Sequence, residues 1–495
     1  MQTPAYPHLH VHSHFTLLGG TASVPALVQQ AAADGLPALA LTDTAALYGA
    51  VAFSRACQAA AIQPISGMVL PVAAPAGLLP LESATPGLLL LLATGPAGYP
   101  TLCRLTSLLQ GSPQRDRLLA QGLPWAQLAG QTHGLLALDG GRRGWLARYL
   151  HARQPAAAAQ YAAHFRATFG DNGYLSLELH RPQDAAVAEA IVALGQRHEL
   201  PAVAVQPIYC LTRPETATLR LLAAIDQNCP LSAVPPAALP NDNDPAVDVH
   251  WLSPAEMAGR FAAHPDALAQ IAAVVARCQP ALPDGRPIWP ALPLPAGEPP
   301  ATALAAQAAQ GLTTRYGPDA PAGARARLHH ELTTITRHGF DPLFLVVADI
   351  VRFARQQDIP VNTRGSVANS LVAYCLGITS VDPLAHDLLF ERFLNPARAN
   401  PPDIDLDFCS RRRDQVLAYV RRTYGADRVA LVATVSTLRP KSAVRETAKA
   451  YGLDEAAIKS LTARLPRDWH PDPRRRERRS VDDLLAEIGD PRQRA

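Results

Sequence analysis

Between Pro402 and Phe408 the chain reads PDIDLDF, so that Asp403, Asp405 and Asp407 alternate with Ile404, Leu406 and Phe408. Side chains at i, i+2 and i+4 of a strand share one face. A strand here therefore carries three carboxylates on one side and three apolar groups on the other. The apolar side must pack into a core, while the carboxylates repel one another. Divalent cations held between them would relieve that repulsion. A pair of Mg²⁺ ions roughly 3.5–4 Å apart is a common arrangement in phosphoryl and nucleotidyl transfer. A solvated acidic edge strand is the plainer reading, and the intervening apolar residues weigh against it.

The rest of the chain gives that strand its setting. Residues 1–212 alternate short apolar runs with helical stretches. PALALTD (37–43), PGLLLLLA (86–93), HGLLALD (133–139), YLSLELH (174–180) and PAVAVQP (201–207) read as strands, with helices such as 24–35 and 184–198 between them. The rhythm predicts an α/β fold with a parallel sheet or barrel. Residues 213–283 read as a helical extension, and the Pro-rich stretch 280–300 marks a domain boundary. A segment 284–432 then brings a helical pair (about 301–316 and 320–338), a further helix (344–357) and the acidic strand, and 433–495 reads as helical and basic.

With 495 residues the chain has room for roughly three or four domains. Its 48% hydrophobic and 18% charged residues make it globular. The net charge is only +3, so any nucleic-acid contact must come from local patches. Seven scattered cysteines form no Cys-x-x-Cys pair and read as reduced thiols in the cytoplasm. The N-terminus has no signal-sequence pattern, and apolar runs such as Leu88–Ala93 are far too short to span a bilayer, so no membrane association is expected.

Two further segments carry phosphate chemistry. In NTRGSVANSLVAYCLG (362–377), Gly365 would let the backbone approach a phosphate, Ser366 and the free amides opening a helix at about Val367 to Ser370 would donate to it, and Arg364 would add a charge. An ordinary helix N-cap is the alternative. In LLFERFLNPAR (388–398), Arg392 and Arg398 flank the approach to the acids; Arg392 reads either as half of a surface ion pair with Glu391 or as a triphosphate clamp.

These pieces, in this order, resemble one family. RGSVANSLVAYCLGITSVDP (364–383), LLFERFLNPAR (388–398), PPDIDLDF (401–408) and ATVSTLRPKSAVRETAKAYGL (433–453) are similar to the palm and thumb of bacterial C-family DNA polymerases, the DNA polymerase III alpha-subunit type. Cys375, the Pro-Pro before the acids and RPKSAVRE (439–446) are most similar to the error-prone branch. The resemblance implies a PHP-type (β/α) barrel (1–212) with its helical extension (213–283), a nucleotidyltransferase-type palm (284–432) and a partial helical thumb (433–495). It implies a DNA-directed DNA polymerase acting in repair and replication, with lesion-tolerant synthesis. Asp405 and Asp407 would hold two Mg²⁺ ions with Asp403 in support. Arg364, Gly365, Ser366 and Arg392 would take the nucleotide phosphates. Primer–template DNA and dNTPs would be its partners. The family also uses a third metal-binding aspartate in a Lys-x-Asp-x-Leu-Gly-Leu context, and this sequence contains no such motif. The chain therefore reads as the front portion of a polymerase, whose further partners would be the remaining polymerase part, a sliding clamp or other translesion factors.

HLHVHSH (8–14) puts His8, His10, His12 and His14 on one face of a strand, a set suited to metal. With ALTDTAALYGAVAF (40–53) it resembles the PHP domain that opens these polymerases, in some members a Zn²⁺- or Mn²⁺-dependent phosphoesterase or proofreading exonuclease. His10, His12 and Asp43 match expected ligands, whereas Thr44, Val69, Leu88, Pro207 and Tyr209 stand where others are expected. Glu178 and His180 lie near another expected site. The resemblance thus leaves two readings: an inactive barrel that braces the palm, or an active exonuclease rescued by His8 and His14.

The run DPRRRERRS (472–480), with Arg474, Arg475 and Arg476, reads either as a solvated loop or as a grip on duplex phosphates. Lys441 and Arg445, four apart on a predicted helix, would extend that face. A third possibility for the whole chain is a non-catalytic remnant that binds DNA or another polymerase piece.

Overall fold

Each apolar run read as a strand in residues 1–212 pairs as one. In the computed structural model, residues 5–78, 81, 85–286, 288–318, 320–395, 401–432 and 434–464 are described. They pack as two units, residues 1–284 with 437–495, and 285–436.

The first unit is built on strands β1 (His10–Val11), β2 (Ala38–Leu41), β3 (Gln63–Val72), β4 (Gly87–Ala93), β5 (Leu135–Asp139), β6 (Gly173–Leu177), β7 (Ala202–Ala204) and β8 (Pro207–Ile208). Strands β2 to β7 are hydrogen-bonded in that order, and β1 pairs in parallel with β8. Ala40 N–H donates to His8 O at 3.1 Å and Thr42 N–H to Val11 O at 2.7 Å, which ties β1 to β2. Only Val205 and Gln206 separate β7 from β8. Strands β2 to β7 thus form an open sheet of the barrel type, tied at β2 to the β1–β8 pair and continuous at β7 with β8 only through the chain.

Strand β4 departs from the parallel rhythm, running antiparallel to both neighbours. Val72 lies opposite Gly87, so the chain reverses direction between β3 and β4. The helices Tyr99–Gln110 and Arg115–Gln121 do not carry the chain across the sheet, because Thr94 N–H meets Gly134 O at 2.9 Å and β5 starts where β4 ended. The run Leu89–Ala93 is almost completely buried on both faces, as is Leu135–Leu138. Beyond the barrel, helix Thr216–Asp226 receives helix Pro440–Ala450, with Ala450 in one buried cluster with Ala223, Ala224, Val234 and Leu239.

The second unit packs helices Pro300–Tyr316, Ala324–Arg337 and Asp341–Gln356 against a short helix, Leu371–Cys375. Helix Asp341–Gln356 has Pro342 in its first turn and buries Phe344, Leu345, Val347, Ala348, Val351 and Ala354, the stripe of an amphipathic helix facing a core. Strands β9 (Val361–Arg364) and β10 (Asp405–Phe408) form an antiparallel pair beside them. Among the described residues, no helix is long and apolar enough to cross a membrane.

Candidate active site

The acidic strand forms as β10, and its alternation holds. Ile404 and Leu406 pack on the core of the second unit, and Phe408 packs with Ala354, Ile359 and Val416. Asp403, Asp405 and Asp407 are exposed, with Asp403 just ahead of the paired strand. In the β9–β10 register Asp405 lies opposite Arg364 and Asp407 opposite Asn362. Arg364 Nε pairs with Asp407 Oδ2 at 2.5 Å; the side chains are 66% and 50% exposed, so the pair is screened and contributes little to stability. The two helices on which Phe408 packs are fastened to each other, the hydroxyls of Tyr419 and Tyr424, on helix Arg413–Tyr424, both donating to Asp349 Oδ2 of helix Asp341–Gln356, at 2.7 and 2.9 Å. Asp405 and Asp407 offer hard oxygen donors on an open face. That fits Mg²⁺, which is commonly held by one or two carboxylates plus substrate phosphates.

Strand β9 runs straight into the Gly-Ser turn. Gly365 sits at φ +81° with no heavy atom within 4 Å of where a Cβ would be, so glycine is required by backbone conformation, not by crowding. Residues Gly365–Asn369 form a 3₁₀ turn, and the Ser370 side chain caps the helix that follows by accepting from Ala373 N–H at 3.1 Å. The amides of Leu371 and Val372, where that helix begins, are not available to a ligand, and the Ser370 amide is held by Val367 O at 3.1 Å. Glu331, fully buried, takes Leu371 N–H on Oε1 and Val372 N–H on Oε2, each at 3.0 Å, and the Ser370 hydroxyl on Oε2 at 2.9 Å. Arg327 Nε donates to Glu331 Oε1 at 2.6 Å, and its Nη2 reaches Asn369 O and Leu388 O. Burial pushes the Glu331 carboxyl above its ordinary range despite these donors. Glu331 and Arg327 thus tie the turn, the helix and the 388–392 segment to one element. Arg392 lies exposed on the turn Phe390–Arg392, while Glu391 turns to His330 at 3.3 Å and not to Arg392. Sequence reading missed Glu331. Its signal was a carboxylate in register with Ala324, Leu328 and Ile335, the buried stripe of its helix.

In the barrel only two of the four N-terminal histidines meet. His10 Nε2 and His12 Nε2 are 3.0 Å apart, and His12 stacks on Tyr209 with ring centroids 3.9 Å apart. His8 instead bonds Leu252 O at 2.9 Å and lies edge-on to Trp251, and His14 is exposed. Strand β1 covers only His10–Val11, so the shared face does not extend to its neighbours. Burial lowers His10 to about 4 and His12 well below its ordinary value, keeping both rings neutral. Asp43 is buried and accepts from Ser13 N–H at 2.7 Å, from the Ser13 hydroxyl at 2.9 Å and from the Thr16 hydroxyl at 2.8 Å; burial raises it to about 6. Among the described residues, no group of three or more His, Cys, Asp or Glu is placed to hold a metal ion. With Asp43 engaged by Ser13 and Thr16, only His10 and His12 converge, fewer than the three or four protein ligands a zinc site takes, so the set His10, His12 and Asp43 does not fit one.

Lys441 and Arg445 are exposed on helix Pro440–Ala450. Arg398, Arg474, Arg475 and Arg476 lie outside the described residues.

Two family descriptions match the chain, the PHP domain over residues 8–181 and the bacterial DNA polymerase III alpha NTPase domain over residues 302–488. The chain is 40% identical over 492 residues to an error-prone DNA polymerase of Symbiobacterium thermophilum, covering 94% of this chain and 42% of that protein. It is 34% identical over 463 residues to the DNA polymerase III subunit alpha of Bacillus subtilis, covering 93% and 40%. A solved amidohydrolase from Chromobacterium violaceum is 16% identical over 41% of this chain and 88% of its own, with a TM-score of 0.29, a likeness too slight to bear on the fold. The chain spans about two fifths of the length of the curated relatives it matches. On the strength of both matched regions and of relatives alike over nearly its whole length, the chain belongs to the bacterial C-family DNA polymerases, the DNA polymerase III alpha-subunit type with its error-prone branch.

Proposed function

We propose that this chain carries the metal- and nucleotide-binding residues of a DNA-directed DNA polymerase, which joins a dNTP to a primer 3′-hydroxyl in lesion-tolerant synthesis. The observation that supports it most is the pairing of β9 with β10. It sets Asp405, opposite Arg364, and Asp407, ion-paired with Arg364, on an exposed face, with the Gly365 turn directly after β9. Asp405 and Asp407 would hold Mg²⁺, and Asp403 would add charge where the strand begins. Bound there, two Mg²⁺ ions would supply activation of the attacking hydroxyl and neutralisation of the leaving pyrophosphate. Arg364 would exchange Asp407 for the triphosphate, Arg392 would meet it from the 390–392 turn, and Gly365 and Ser366 would cradle it. Lys441 and Arg445 would meet the phosphates of primer–template DNA. In this reading residues 284–432 are the palm, 433–495 part of the thumb and 1–283 a bracing barrel with its extension. The chain works in the cytoplasm with a remaining polymerase part and a sliding clamp. Its cysteines, all unpaired, suit a reducing compartment.

The test is Mg²⁺-dependent binding of a fluorescent dNTP, followed by primer extension, for the chain and for the Asp405→Ala, Asp407→Ala double variant. The reading expects the variant to lose Mg²⁺-dependent dNTP binding while keeping its fold and its affinity for DNA. Undiminished Mg²⁺-dependent binding and extension by the variant would refute it.

A further inference from the structure

Four side chains of metal-ligating type are left unused by the polymerase reading. His10, His12, Glu178 and His180 are all buried in the barrel, close enough that the Glu178 charge acts on His10 and on Tyr209. We infer that this cluster is closed by the guanidinium of Arg142 and not by a divalent ion, so that an arginine does in this barrel the charge-balancing and cross-linking work of a metal.

The donor atoms are already committed. Glu178 Oε1 accepts from His180 Nε2 at 2.7 Å and lies 3.7 Å from Arg142 Nε, and Oε2 accepts the Arg142 backbone N–H at 2.9 Å. Gly141, at φ +57°, makes that approach feasible, because a Cβ there would collide with Glu178 Oε2. The other ring nitrogen of His180, Nδ1, accepts from Asp248 N–H at 3.2 Å, so its proton sits on Nε2. Neither ring nitrogen nor carboxylate oxygen faces an open position. His10 and His12 supply the one converging pair, and two imidazoles do not make a closed site. The buried Glu178 carboxylate still requires a partner charge. Arg142 provides it and reaches onward, pairing with Asp242 through Nη1 and donating to Pro240 O through Nη2 at 2.6 Å. Three more arginines repeat the pattern on the same loop: Arg143 on Ala237 O at 3.1 Å, Arg181 on Asp244 at 2.7 Å and Arg260 on Asp248 at 2.5 Å. Residues 237–248 are thereby strapped to the barrel by guanidinium groups.

The experiment uses the full chain carrying Asp405→Ala and Asp407→Ala, so that the exposed acids of the second unit do not report. It is incubated with Zn²⁺ or Mn²⁺, dialysed and analysed for metal, and its unfolding midpoint is measured with and without EDTA. The inference expects far less than one ion per chain and a midpoint indifferent to EDTA. Arg142→Met is expected to lower the midpoint by several degrees, and Asp242→Asn, a milder change at a more exposed partner, by less. Glu178→Gln should cost less in the Arg142→Met background than alone. A stoichiometric ion that His10→Ala removes, a midpoint that falls with EDTA, or an Asp242→Asn midpoint equal to that of the parent would overturn it.

Discussion

Glu331→Ala probes the fastening of the Gly-Ser turn. The carboxylate is inaccessible to solvent and takes four donors: Arg327 Nε at 2.6 Å, the amides of Leu371 and Val372 and the hydroxyl of Ser370. Removing it leaves a guanidinium without its counter-charge and two helix-opening amides without acceptors. Breaking a buried pair from one side costs about 3–5 kcal/mol. The low end applies, because the Arg327 side chain is 22% exposed and keeps its bonds to Asn369 O and Leu388 O. A loss of about 3 kcal/mol is roughly a hundredfold in the local opening equilibrium, since each 1.4 kcal/mol is tenfold. Hydrogen exchange read by mass spectrometry on a peptide spanning 366–376 should therefore speed up by about two orders of magnitude, with the barrel strands unaffected. Glu331→Gln keeps one acceptor but aims an NH₂ at donors, and should fall between, at about 1–3 kcal/mol. Exchange in the Glu331→Ala peptide within a few-fold of the parent would refute the claim that this carboxylate holds the turn.

Two other outcomes follow from charges elsewhere. Asp139 is fully buried, and burial raises its carboxyl from 3.8 to about 7 against the opposing hydrogen bond from Ser176 N–H. The folded state thus keeps a proton that the unfolded chain has shed, so its contribution falls as pH rises from about 4 through about 7. Asp139→Asn should gain on the parent by at most about 3 kcal/mol between pH 5 and pH 8; a gap in urea midpoint equal at the two pH values would refute this. Lys441→Ala with Arg445→Ala should weaken duplex binding regardless of sequence and lower the slope of log K against log salt by about 0.9 per lost phosphate contact. Fluorescence anisotropy across a salt series checks it, and an unaltered slope would remove both residues from the interface.

The acidic strand was legible because its alternation of charge and apolarity has the period of the element it forms. The barrel strands were legible because runs such as Leu88–Ala93 are continuous enough to be buried on both faces. Strand β3 escaped notice because Pro64 and Pro71 interrupt QPISGMVLPV, although both are accommodated in it. The reversed direction of β4 was hidden too, since the helices after it look like an ordinary crossover until Gly98 and Gly134 are seen together. The divergence of His8 and His14 from His10 and His12 depended on partners far away in sequence, such as Trp251 and Leu252. Glu331 was missed for a related reason, although it falls on the buried stripe of its helix. Arg327 and Glu331 are spaced like a solvent-exposed i, i+4 pair, and only the packing of Leu371–Cys375 against that helix places the carboxylate in the interior.

The short helix that follows the Gly-Ser turn points the positive end of its peptide dipoles toward an internal carboxylate. A polyanion arriving from solvent would find that field already cancelled, and its attraction would depend on the long, mobile side chains of Arg364 and Arg392, both at the surface. Such charges are screened over about 8 Å at physiological ionic strength. Grip on a triphosphate at this face should therefore be a property of the medium as much as of the protein, loosening as dissolved salt rises and tightening in dilute buffer, whereas the scaffold beneath it, held by Glu331, would stay indifferent to both.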